Sequence, residues 1–75
     1  ILNCLINSQG RVLLGGDPVE TKNISRVVKE KMQENEKLII SVKSHEKTRY
    51  KDYVAVIDQL KKANAKRISI AETGD

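Results

Sequence analysis

With 75 residues, 39% of them hydrophobic and 32% charged, the chain has room for one domain and one thin core, but not for a deep enclosed pocket. No apolar run nears the ~20 residues of a membrane span, and no signal-peptide core opens the sequence. The 14 Lys and Arg outnumber the 10 Asp and Glu by four, which admits an anionic partner. Acids such as Glu30, Glu34, Glu46 and Asp58 are interspersed among those cations, as on an ordinary solvated surface.

In chain order, residues 1–7 are expected to form a strand with Leu2, Cys4 and Ile6 on one face. Asn3 and Asn7 take the other face, where Leu5 interrupts the alternation. Ser8-Gln9-Gly10 has turn chemistry, Gly10 being free to adopt positive φ. Residues 11–14 supply the partner strand, with Val12 and Leu14 on one face. Gly15-Gly16-Asp17-Pro18 is expected to end the hairpin, because proline cannot donate to a ladder. From Thr21, expected to be an N-cap, the period changes: Ile24, Val27, Val28 and Met32 form the apolar stripe of a first helix that ends at Asn35. Residues 38–42 form the longest apolar run, rich in β-branched side chains, and are expected to be a strand covered on both faces.

After a polar connection, a second helix is expected over residues 49–63, capped by Thr48. Tyr50, Tyr53, Val54, Ile57 and Leu60 are its expected buried side, and Asn64 its left-handed end. Residues 67–71 give a last strand with Ile68 and Ile70 on one face, and residues 72–75 a frayed tail. The order β-β-α-β-α-β predicts an α+β two-layer sandwich, with two helices on one face of a small mixed sheet. Its final βαβ unit must be parallel and right-handed.

Nothing in the sequence assembles an enzyme. The single histidine, His45, is expected in an exposed loop beside Glu46 and Lys47, far from an inward Cys4, so no nucleophile, base and orienting group converge. His45-Glu46 is the one local pair of metal-ligand type, and one cysteine supports neither a disulfide nor a thiolate cluster. Gly15-Gly16 is not followed by the lysine and hydroxyl of a phosphate cradle, but by Asp17-Pro18. No catalytic residue, metal or cofactor is therefore expected. Tyr50 and Tyr53 are the only aromatic residues and share one helix face, so stacking platforms for single-stranded nucleic acid are not expected. A small basic βαβ domain that binds nucleic acid is the alternative to a protein-binding module. For protein binding, the expected means is capture of a strand at a sheet edge, where cations such as Arg11 and Arg67 would either blunt that capture or select an acidic partner.

Two stretches, taken in order, resemble a known family. The first is Gly10-Arg11-Val12-Leu13-Leu14-Gly15-Gly16-Asp17-Pro18-Val19. The second runs from Leu38-Ile39-Ile40-Ser41-Val42-Lys43 through Thr48-Arg49-Tyr50 and Val54-Ala55-Val56-Ile57-Asp58-Gln59-Leu60-Lys61-Lys62-Ala63-Asn64 to Arg67-Ile68-Ser69-Ile70. Along nearly its whole length the chain is similar to the periplasmic domain of the ExbD/TolR family. The resemblance implies one periplasmic domain over residues 1–75, tethered to the bacterial inner membrane by an N-terminal helix outside this sequence, which begins at Ile1 rather than Met. That helix carries the family's proton-bearing aspartate. The implied partners are a second copy in a homodimer, an ExbB/TolQ-like channel subunit, and a TonB/TolA-like protein energised by the proton-motive force. Binding to peptidoglycan, as in TolR-like members, is left open.

Where the family usually has an Asp after the third strand this chain has His45, and Asn64 stands where the second helix usually ends on glycine. A histidine titrates near neutrality, so the loop at His45 is expected to change charge with pH. Leu60 aligns with a leucine that the family uses in coupling, although its helix spacing favours a core position. Leu60, Tyr50, Tyr53 and His45 are thus the expected partner-binding residues.

Overall fold

Strand β1 (Leu2–Ile6) and strand β2 (Val12–Leu14) alternate buried and exposed positions, turning Leu2, Cys4, Ile6, Val12 and Leu14 inward. They pair antiparallel in the register Cys4↔Leu14, Leu5↔Leu13 and Ile6↔Val12. The structure, a computed structural model, describes residues 1–72. The turn between the strands is fixed locally. The Asn7 side-chain carbonyl accepts the amides of Gln9 (2.9 Å) and Arg11 (2.8 Å), and Gly10 takes φ +82°. The positive φ favours glycine there, and a Cβ would lie 2.6 Å from Asp52 Oδ2 on the second helix, so that carboxylate would have to swing aside.

The hairpin does not end at Gly15-Gly16. A third strand, β3 (Asp17–Val19), follows and pairs antiparallel with β2, Leu14 opposite Asp17 and Val12 opposite Val19. Gly15 and Gly16 have φ +62° and +90°, the doubly left-handed geometry of a two-residue hairpin turn. Pro18 is tolerated because it lies opposite Leu13, at a position whose amide faces away from β2.

A 3-10 turn (Thr21–Asn23) leads into α1 (Ile24–Glu34), which buries Ile24 and Val28 and packs Val27 and Met32 on the core. Thr21 is the first residue of that turn and makes no capping bond; the turn closes instead through the Asn23 amide on the Glu20 carbonyl (2.9 Å). Asn35 ends α1 as expected from the sequence.

Strand β4 (Ile40–Ser44) lies parallel to β1, and β5 (Ile68–Glu72) parallel to β4, giving the order β3-β2-β1-β4-β5. Ile40 and Val42 are buried, but Ser41 and Lys43 face a side that no helix covers, so β4 is covered on one face rather than two. Glu72 belongs to β5, and the rest of the expected frayed tail, residues 73–75, lies outside the described residues.

Helix α2 (Tyr50–Lys62) buries Val56 and Leu60, with Tyr53 and Ile57 half-buried against the core and Ala63 closing the stripe. The stripe is rotated from the one expected: Tyr50 is 79% exposed, and Val56 occupies the innermost position. The helix ends in a Schellman motif. Asn64 adopts φ +60°, its amide donates to the Lys61 carbonyl (3.0 Å), and the Ala65 amide donates to the Leu60 carbonyl (3.1 Å). Both helices pack on one face of the sheet, so the fold is the α+β two-layer sandwich expected, with one more strand.

Candidate functional site

Because β1, β4 and β5 run parallel, their C-terminal ends share one rim of the sheet, and the loop of residues 45–49 springs from that rim. The loop is bonded to β1 rather than free. The His45 amide donates to the Ile6 carbonyl (2.9 Å), and the Thr48 amide to the His45 carbonyl (2.9 Å). Thr48 was expected to cap α2. Its hydroxyl is shared instead between the carbonyls of Ile6 (3.2 Å) and Asn7 (3.0 Å) at the end of β1, which also accept the amides of His45 and Gly10. These bonds reach across more than forty residues of sequence, which is why a local capping rule misplaces Thr48. His45 Nδ1 accepts the Lys47 amide (3.1 Å), so in this arrangement a proton on the ring sits on Nε2.

Three of the four expected partner-binding residues meet here. His45, Tyr50 and Tyr53 line an open groove of 430 Å³ together with Ser44, Glu46, Thr48 and Ile70. Tyr50 and Tyr53, one helical turn apart, stack with ring centroids 6.3 Å apart and planes inclined by 28°. Tyr53 leans on the core while Tyr50 stands in solvent, so the pair presents a broad aromatic wall. Leu60, the fourth, lies elsewhere: it is fully buried beneath the sheet, and its position supports the core alternative.

Ile70 is the residue that the sequence did not single out. It is 56% exposed, lines the groove, and lies on β5, the outermost strand. The Ile40 amide bonds the Arg67 carbonyl (2.9 Å), and in a parallel ladder alternate residues bond on alternate sides. The amides and carbonyls of Ile68 and Ile70 therefore point away from β4, toward the open edge. The opposite edge, β3, places Pro18 at its outward position, where no amide is available. One edge is blunted and the other is open beside an aromatic groove. A signal for this existed in the sequence, since a strand closing a right-handed βαβ unit onto the previous strand falls at the sheet edge unless another follows.

The groove's polar groups are a histidine, a carboxylate and hydroxyls on an exposed rim, without a buried, activated pair. Cys4 is fully buried under the sheet, and burial pushes its thiol from 9.0 up to about 11, the opposite of an activated nucleophile. Among the described residues no three His, Cys, Asp or Glu side chains gather as metal ligands, and no helix is long and apolar enough to cross a membrane.

No curated protein matches the chain. A comparison with protein families matches residues 1–74 to the family described as biopolymer transport protein ExbD/TolR.

Proposed function

The chain belongs to the ExbD/TolR biopolymer-transport family, and on that premise we propose that it is the periplasmic part of an inner-membrane, proton-driven motor. The family's role is in transport motor complexes, and its members transduce energy and are not known as enzymes. In the proposed arrangement an N-terminal helix upstream of Ile1 joins an ExbB/TolQ-like channel subunit. The present residues pair with a second copy and with a TonB/TolA-like chain. The observation that carries the reading is the family match over nearly the whole chain.

The mechanism proposed is strand addition at β5. An incoming segment would bond the outward amides and carbonyls of Ile68 and Ile70, and its side chains would meet the wall of Tyr50 and Tyr53 across Ile70. Ile70→Pro isolates this mechanism, because it removes an outward amide and leaves the bonds to β4 in place. In the anchored protein, with the TonB/TolA-like chain of the same genome, amide exchange should show new protection at Ile68 and Ile70, and Ile70→Pro should abolish it. Protection confined to the helix surfaces would overturn strand addition. The motor reading itself is checked upstream: an apolar span of ~20 residues carrying an aspartate is expected there, and its absence from the complete gene would sink that reading.

A further inference from the structure

The uncovered face of the sheet carries an apolar row that neither the core nor the groove uses. Leu5 lies directly opposite Leu13, and Leu13 opposite Pro18, so three apolar side chains line up across β1, β2 and β3. Leu5 is 40% and Leu13 41% exposed, and Pro18 is exposed as well. Lys43 continues the row on the other side of Leu5. Two more cations fall on this face by register, Arg11 one residue before the inward Val12 and Arg67 one before the inward-facing Ile68. Among the described residues of the strands and their flanks, the one carboxylate assigned to this face by register is Glu20. It sits at a corner, 3.4 Å from Lys22 Nζ. The face is therefore apolar along its middle, and apart from Glu20 the charged side chains around that row are cations, set among uncharged residues such as Asn3, Ile39 and Ser41.

From this geometry we propose that the outer face of the sheet docks on an anionic lipid surface, with Leu5 and Leu13 entering the headgroup boundary and Arg11, Lys43 and Arg67 meeting lipid phosphates. Charge complementarity selects the occupant. A second copy laid face to face would oppose cation to cation, which disfavours a dimer through this face. Nucleic acid would use the cations but has no use for the central leucines, and three cations fall short of the roughly six to ten phosphate contacts of a typical binder. An acidic peptide needs a groove or a sheet edge, whereas these cations spread over strands about 4.8 Å apart on a face without a cleft. A broad surface with an apolar middle and a basic surround matches a bilayer.

The test uses the 75-residue chain and vesicles alone, so its failure leaves the motor reading standing. Cosedimentation is expected with vesicles of phosphatidylcholine and phosphatidylglycerol mixed two to one, and not with pure phosphatidylcholine. Each cation near the surface contributes about fivefold in affinity. The Arg11→Gln/Lys43→Gln pair should therefore weaken binding roughly 25-fold, and added salt should weaken it further. Leu5→Asn/Leu13→Asn should also release the protein. If that pair shifts the thermal midpoint, the Arg11→Gln/Lys43→Gln pair decides alone, because both of its positions lie outside the core. Four results would each overturn the proposal: equal binding to both vesicle types, binding unaffected by the cation pair, capture of polyglutamate or a DNA duplex but not of vesicles, or a dimer that dissociates on Leu5→Asn/Leu13→Asn.

Discussion

Cys4 shows how one side chain ties burial to pH. Its thiol is held near 11 by desolvation, against 9.0 for the exposed group. Between those values the folded chain keeps a proton that the unfolded chain has lost, so stability must fall as pH rises. The loss should begin near pH 9 and grow to roughly 2 kcal/mol by pH 11. Urea unfolding of the native chain and of Cys4→Val across that range should diverge by this amount; parallel curves would show that the thiol ionises without penalty. At this scale the sequence was legible where a residue answers to its own backbone. Gly10 and Asn64 both take the positive φ expected of them. It was not legible where a polar group found a distant partner. The Thr48 hydroxyl had the Ile6 and Asn7 carbonyls at the end of β1 within reach, and no rule based on neighbours in sequence includes them.

Among the elements, α2 separates packing from partner contact. Tyr50 and Leu60 were both expected on its buried side, yet Tyr50 faces solvent and Leu60 is sealed against the sheet. Leu60→Ala should cost about 2–5 kcal/mol of stability through the cavity it leaves, whereas Tyr50→Ala should fall within about 0.5 kcal/mol. Chemical denaturation measures both, and a mild Leu60→Ala would reopen a surface role for that leucine. The helix was readable from its period, but its rotation was not. Tyr50, Tyr53, Val54, Val56, Ile57 and Leu60 are all apolar enough to face inward, and only the position of the sheet chooses among them. Strand β3 was missed for another reason. Pro18 argued against a strand, while Gly15-Gly16 between Leu14 and Asp17 carried a hairpin-turn signal that outweighed it.

For the whole molecule, the proposed attachment of another chain at β5 follows from the asymmetry of the two edges. Pro18 blunts β3, while β5 offers Ile68 and Ile70 beside the groove of His45, Tyr50 and Tyr53. Restoring the missing donor by Pro18→Thr should raise self-association at high concentration, read by sedimentation velocity. An unchanged monomer fraction would mean that a strand of three residues is too short to template pairing. The sequence by itself determined the alternation of the hairpin strands, the amphipathic helices and the parallel pairing of the final unit, since each follows from residues close together in the chain. Only the tertiary structure decided which strands lie at the edges, which face of the sheet stays bare, and that His45, Tyr50 and Tyr53 share one groove with Ile70 while Leu60 does not. Those outcomes depend on how β1 pairs with β4 across more than thirty residues, a contact whose free energy no local pattern contains.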